Sequence, residues 1–309
     1  MIYNNVTELT GNTPLVRLSR LSSALGLETR LVAKVESFNP LSSVKDRVGV
    51  ALIADAERRG LLKPGGLIIE PTSGNTGVGL ASAAAAMGYR LMLTMPASMS
   101  MERRRLLVAL GAQLVLTPPE LGMQGALDEA ERLHKQNHGS ILAGQFVNPA
   151  NPEIHYQTTG PEIWRDTDGK VDIFVAGFGT GGTISGVGRA LKEQNPAVQV
   201  VAYEPLSSPM ITEGHAGAHG IQGVGANFVP QNLNREVIDR FVTVTDQQAF
   251  ELTRMLATTE GILAGISSGA ALAAAAEVAR LYENKDKLIV VLLPDSGERY
   301  LSTGVFDHE

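Results

Sequence analysis

Four short stretches of this chain hold residue types from which chemistry could be built. The first is Ser42-Ser43-Val44-Lys45-Asp46-Arg47, just ahead of the helical stretch VGVALIADAERRG. A lysine at the positive end of a helix has its pKa lowered, which favours the neutral amine that a Schiff base needs. The same lysine between Asp46 and Arg47 also reads as a plain surface residue. The second stretch, Thr72-Ser73-Gly74-Asn75-Thr76-Gly77, follows the apolar run LIIE and opens the run VGLASAAAAM. Its glycines permit a tight turn, and the N–H groups of the first helical turn then face whatever lies above, favouring an anion such as a carboxylate.

The third stretch, Gly177-Phe178-Gly179-Thr180-Gly181-Gly182-Thr183, satisfies G-x-G-x-x-G, and Glu204 ends the next apolar run about 20 residues on, as a dinucleotide site requires. A cup for one phosphate monoester, with the Thr180 and Thr183 hydroxyls joining the backbone donors, fits the same residues. The fourth, Gly265-Ile266-Ser267-Ser268-Gly269, has the G-x-S-x-G form of a hydrolase nucleophile turn, with Asp295 and His308 later in the order that enzyme class uses. His308 stands next to last, where a chain frays, and no early oxyanion loop is present. The histidine pairs His134/His138 and His215/His219 have ligand-like spacing but sit at a helix end and in a Gly-rich loop, with no carboxylate at ligand spacing.

Positioning these stretches requires a large α/β framework. Across 309 residues, apolar runs at 31–36, 67–70, 90–95 and 113–117 alternate with Ala- and Leu-rich helical segments, and a second series follows at 171–177, 198–204, 241–244 and 288–294. Runs that are continuous rather than alternating imply mostly parallel sheets covered on both faces. The Pro- and Asn-rich segment Gly144–Glu153 separates the two series, which predicts domains at 1–143 and 144–309. Residues 205–225 lack periodicity and read as a long loop of the kind that often serves function. The formal charge of −6 argues against a nucleic-acid partner, and Arg103-Arg104-Arg105 reads as a solvated helix face. Zero cysteines exclude disulfides, thiolate catalysis and Cys-ligated zinc. With no apolar run near the roughly 18 residues of a membrane span and no leader-like start, the expectation is a cytoplasmic protein.

Taken together and in order, TGNTPLVRL (10–18), NPLSSVKDR, EPTSGNTG, ERRRLLVALGA, GQFVNPANPEIH, TTGPEIW, GFGTGGT, IQGVGANFVP, GISSGAA and SGERYLST make nearly the whole chain similar to the cysteine synthase (O-acetylserine sulfhydrylase) family of fold-type II pyridoxal-phosphate (PLP) enzymes. The resemblance implies two α/β domains, the first smaller and closing over substrate, with residues 13–34 packing with the second. It implies PLP held covalently by Lys45, its ring oxygen met by Asn75, its phosphate by Gly179, Thr180, Gly181, Gly182 and Thr183, and its pyridine nitrogen by Ser267. Thr72, Ser73, Gly74, Thr76 and Gln145 would take the substrate carboxylate, with Gly223 and Gly225 near the amino group. The implied reaction is β-replacement on O-acetyl-L-serine by sulfide. The implied partners are a second copy of the chain and the carboxyl-terminal tail of serine acetyltransferase. Cystathionine β-synthase, serine/threonine dehydratase and O-phosphoserine sulfhydrylase share the lysine and the SGN-type loop and stay open. Against the A-type pattern, the loop after Pro205 is several residues shorter, and Asp295 replaces the usual serine before SGERYLST.

Overall fold

The structure is a computed structural model, and it describes residues 1–72 and 74–307. Among these, the strands are β1 (Leu15–Arg17), β2 (Arg30–Val35), β3 (Leu67–Pro71), β4 (Arg90–Pro96), β5 (Gln113–Thr117), β6 (Ile141–Leu142), β7 (Ile173–Gly177), β8 (Gln199–Pro205), β9 (Arg240–Val244) and β10 (Leu288–Leu293). Each apolar run of the sequence becomes a strand within a residue or two of its expected ends. The short strands β1 and β6 carry too few residues to show a period of their own.

The chain divides into two compact units, Met1–Thr10 with Asn39–Asn151, and Gly11–Phe38 with Pro152–Glu309. The second crossing falls between Asn151 and Pro152, inside the Pro- and Asn-rich segment. The first unit is built on a parallel sheet in the order β5-β4-β3-β6. Its core is Leu, Ile, Val, Met and Ala, among them Ile53, Ile68, Leu80 and Leu93, all fully enclosed. The second unit has a six-stranded sheet in the order β1-β2-β10-β7-β8-β9, parallel except where β1 pairs antiparallel with β2. Val175, Val201 and Val291 pack on one face and Phe174, Val200 and Val290 on the other. All six interior positions of β10 (LIVVLL) are buried, as a central strand covered on both faces requires.

Strand β2 precedes Lys45 in the chain yet lies in the second unit's sheet, beside β10. Residue pattern alone cannot announce this, because a strand's burial does not say which sheet covers it. Between Pro205 and the short turn at Arg235–Val237 no helix or strand intervenes, in accord with the lack of periodicity there.

Candidate active site

In the first unit, the helix Lys45–Arg58 begins at the lysine itself, three residues earlier than the apolar pattern suggests. The turn ahead of it is tied locally. Asp46 accepts from the Leu41 N–H at 2.6 Å and from the Ser43 hydroxyl at 3.3 Å, and the Lys45 N–H donates to Ser43 Oγ at 3.2 Å. Ser42 takes φ 57°, a left-handed conformation that costs a non-glycine residue and is held here by those bonds. Asp46 therefore closes the turn that presents Lys45.

The helix Asn75–Met87 packs directly on this one, backbone to backbone, through Gly49 and Gly79. A Cβ on Gly49 would overlap the Gly79 carbonyl, and a Cβ on Gly79 would overlap the carbonyl of Lys45. Glycine inside a helix costs about 1 kcal/mol relative to alanine, so two of them at one crossing signal a required close approach. The consequence is that Lys45 stands one helical turn from Asn75. Neither glycine figured among the candidate residues, though a lone Gly in each Ala- and Val-rich run was the available signal.

Around the opening of the second helix, Thr72 Oγ1 accepts from the Gly74 N–H at 3.2 Å, and the Thr76 hydroxyl donates to Gln145 Oε1 at 2.5 Å. Thr72, Thr76 and Gln145 are all buried. Three of the expected carboxylate ligands thus gather at one helix start, the positive end of the helix dipole. Ser73 lies outside the described residues.

In the second unit, β7 runs into the loop Gly177–Gly181 and then the helix Gly182–Gln194. The loop is closed from behind by its own fold. A Cβ on Gly179 would strike the Gly223 carbonyl oxygen, and Gly181, at φ 82°, has the Leu233 backbone 2.7 Å from where its Cβ would be. Only glycine fits there, and the stretch carrying Gly223 is thereby held against the cup. Thr183 Oγ1 lies 3.3 Å from Nε2 of His155, a fully buried histidine in the π-helical turn His155–Thr159, whose Nδ1 is 2.9 Å from Thr159 Oγ1. Sequence reasoning passed over His155, since nothing in its neighbours marks a buried partner for a hydroxyl 28 residues away.

Ser267 lies in the first turn of the helix Ile266–Ala279 and is 4% exposed. Tyr203 joins it to the glycine cup. The Tyr203 ring packs where a Gly177 side chain would be, and its hydroxyl donates to the Ser267 carbonyl at 2.6 Å. Burial, first, and then the charge of Asp295 push the Tyr203 phenol well above its usual range, so it stays a donor at every physiological pH. One buried ring therefore sets the spacing between a phosphate-sized cup and a serine. Gly225, at φ 66°, packs on the His219 ring.

Two competing readings meet contrary geometry. Glu204, the acid that a dinucleotide's ribose would need, is buried and accepts from the N–H groups of Ile211 and Thr212 at 2.9 and 3.0 Å and from the Thr212 hydroxyl at 2.6 Å. It is an anchor for the loop after β8. Ser267 is not among the residues with positive φ and sits inside an ordinary helical turn, unlike the strained strand-to-helix corner of a hydrolase nucleophile. His308 lies outside the described residues. No cluster of metal-ligating side chains occurs among the described residues, and none of their helices is long and apolar enough to cross a membrane.

Within the second unit, the glycine cup and the serine one tyrosine away could meet a phosphate and a ring nitrogen, and within the first unit the lysine beside an asparagine-headed helix could meet an aldehyde carbon, the groups that PLP carries. Residues 6–295 match the family described as pyridoxal-phosphate dependent enzyme, and the chain belongs to it. It is similar to cysteine synthase A of Escherichia coli, 52% identical over 314 residues, covering 99% of this chain and 96% of that one. Cysteine synthase of Staphylococcus aureus is 49% identical over 307 residues, covering 99% and 98%. A crystal structure of cysteine synthase from Entamoeba histolytica superposes with a TM-score of 0.97 at 43% identity, covering 100% of this chain and 92% of that one.

Proposed function

We propose that the chain is a cysteine synthase, replacing the acetate of O-acetyl-L-serine by sulfide to give L-cysteine. The reading is supported by the packing of the Lys45 backbone against Gly79, one helical turn into the Asn75–Met87 helix, enforced by the Gly49–Gly79 crossing. Identity of 49–52% to cysteine synthases over nearly the full chain supports it.

PLP, when bound, supplies an electron sink for charge developing at the substrate α-carbon. Lys45 would hold the cofactor covalently. Its Nζ amine would take the α-proton of the substrate as acetate leaves the β-carbon, and would return that proton to the α-carbon as sulfide bonds to the β-carbon. Asn75 orients the ring oxygen. Gly179, Thr180, Gly181, Gly182 and Thr183 hold the phosphate with backbone N–H groups and hydroxyls at a helix N-terminus. Ser267 would meet the pyridine nitrogen as a neutral partner and leave it unprotonated, which suits elimination better than a long-lived carbanion. Thr72, Ser73, Gly74, Thr76 and Gln145 take the substrate carboxylate, and Gly223 and Gly225 border its amino group.

The same proposal includes a cytoplasmic homodimer whose smaller domain closes over substrate. It also includes a serine acetyltransferase tail docking by its terminal carboxylate at the start of the Asn75 helix, which the anion preference of a helix N-terminus supports. The test is direct. Purified protein should be yellow, borohydride should bleach it and attach the cofactor to the Lys45 peptide, and cysteine should form faster from O-acetylserine than from serine or O-phosphoserine. A preference for either of the other donors overturns the substrate assignment. An isoleucine-ended peptide should compete with O-acetylserine, and no competition at millimolar peptide removes the tail.

A further inference from the structure

Glu70, next to last in strand β3, has 1% of its surface exposed. A carboxylate so deeply buried is costly unless its oxygens are fully hydrogen-bonded. Oε2 accepts from the Gly144 N–H at 2.7 Å, Oε1 accepts from the Gln145 N–H at 3.3 Å, and the Gln145 side-chain amide is a third donor. Burial raises the Glu70 carboxyl to about 7, and the three donors oppose that rise without a cation among them. A backbone turn alone would be served by a neutral side chain at lower cost.

The geometry says what the acid adds. The Gln145 carbonyl oxygen accepts from Asn151 Nδ2 at 2.8 Å, so with Glu70 on its N–H both backbone groups of Gln145 are fixed. Its side-chain amide has two chemically distinct ends. With the NH2 end turned to Glu70, the Oε1 end faces Thr76 and receives that hydroxyl at 2.5 Å. Once ionised, above about pH 7, the Glu70 carboxylate can only accept, so in that form it selects one of the two amide orientations.

We propose that Glu70 is a positioning residue for the substrate-carboxylate site: by holding the Gln145 backbone and amide it sets the Thr76 hydroxyl at the first turn of the Asn75–Met87 helix. The inference rests on the reading of Thr76 and Gln145 as carboxylate ligands, and it assigns Glu70 no contact with substrate. Loss of the acid should release the amide and the hydroxyl together, weakening capture of the amino-acid substrate while leaving chemistry and sulfide use intact.

Steady-state kinetics of the holoenzyme with O-acetylserine and sulfide test this. Glu70→Gln is expected to raise the KM for O-acetylserine roughly tenfold, since a charged acceptor is exchanged for an amide that mispairs. The kcat, the KM for sulfide and the visible spectrum of the cofactor should stay within about twofold. Combined with Gln145→Ala, Glu70→Gln should add little further, because both act through one side chain. Glu70→Asp, which keeps the charge on a shorter arm, should fall between wild type and Glu70→Gln, and it carries the test if Glu70→Gln does not fold. Unchanged KM in Gln145→Ala and Thr76→Val overturns the carboxylate-site reading and this proposal with it. A raised KM in those two with a normal KM in the Glu70 variants, or effects of Glu70 and Gln145 that simply add, overturns the positioning role alone.

Discussion

On the proposed roles, Lys45 and Ser267 divide the chemistry unequally, and substitution separates their shares. Lys45→Ala removes both the covalent anchor and the base, so turnover should fall by about a thousandfold or more with folding intact, read by single-turnover assay and circular dichroism. Ser267→Ala removes one neutral hydrogen bond, worth roughly 0.5–1.5 kcal/mol, so it should keep the cofactor and lose only about tenfold. Ser267→Asp should instead draw a proton onto the ring nitrogen through a charge-assisted bond and shift products away from clean replacement. Product ratios for the pair decide the point, and a Ser267→Ala as inactive as Lys45→Ala would refute it. Glu70 carries a pH signature of its own. Its folded-state pKa is raised by burial from 4.5 to about 7, so the folded state binds the proton more tightly. Its contribution to stability is therefore present in full below about pH 4.5 and is lost as pH rises to about 7, a loss of roughly 3 kcal/mol. Urea titrations across that window should show the slope in wild type and a flatter profile in Glu70→Gln.

Two element contacts do the positioning, and both depend on glycine. At the crossing of Lys45–Arg58 with Asn75–Met87, Gly79→Ala would force a methyl group into the Lys45 carbonyl. The helices must separate, at a cost of about 1–3 kcal/mol, and Lys45 moves with its helix. Activity should fall more than stability does, which thermal melts and kcat measured on one preparation will show. In the cup, Gly181 combines φ 82° with the Leu233 backbone at its Cβ position, so Gly181→Ala meets backbone strain and a clash together. Cofactor affinity is the sensitive readout there, by titration of the apoprotein with PLP.

For the molecule as a whole, the cofactor is part of its stability. A ligand bound only by the folded state stabilises by RT ln(1 + [L]/Kd), about 2.7 kcal/mol at a hundredfold excess over Kd. Removing PLP should lower the melting temperature by several degrees, and inorganic phosphate alone should restore part of it, because the Gly179–Thr183 cup is complete within one unit. Phosphate without effect on the apoprotein would mean the cup forms only around the whole cofactor.

How much of this was legible in the sequence depends on range. Strands such as LIVVLL, and the loops Thr72–Gly77 and Gly177–Thr183, declare themselves through burial periodicity and glycine placement, which are local properties of a few neighbouring residues. The motifs in order then gave the family and its cofactor. Tertiary structure alone decided that Gly49 meets Gly79 and that Tyr203 reaches from Gly177 to Ser267. The same holds for Glu204, which matches a ribose ligand by spacing and is spent on the Ile211–Thr212 backbone. Glu70 looked like the polar end of an apolar strand, and its role depends on Gln145, 75 residues away. Periodicity records which side of an element is dry. It carries no record of which distant backbone supplies a buried acid with its donors, since that is fixed only when the sheets close.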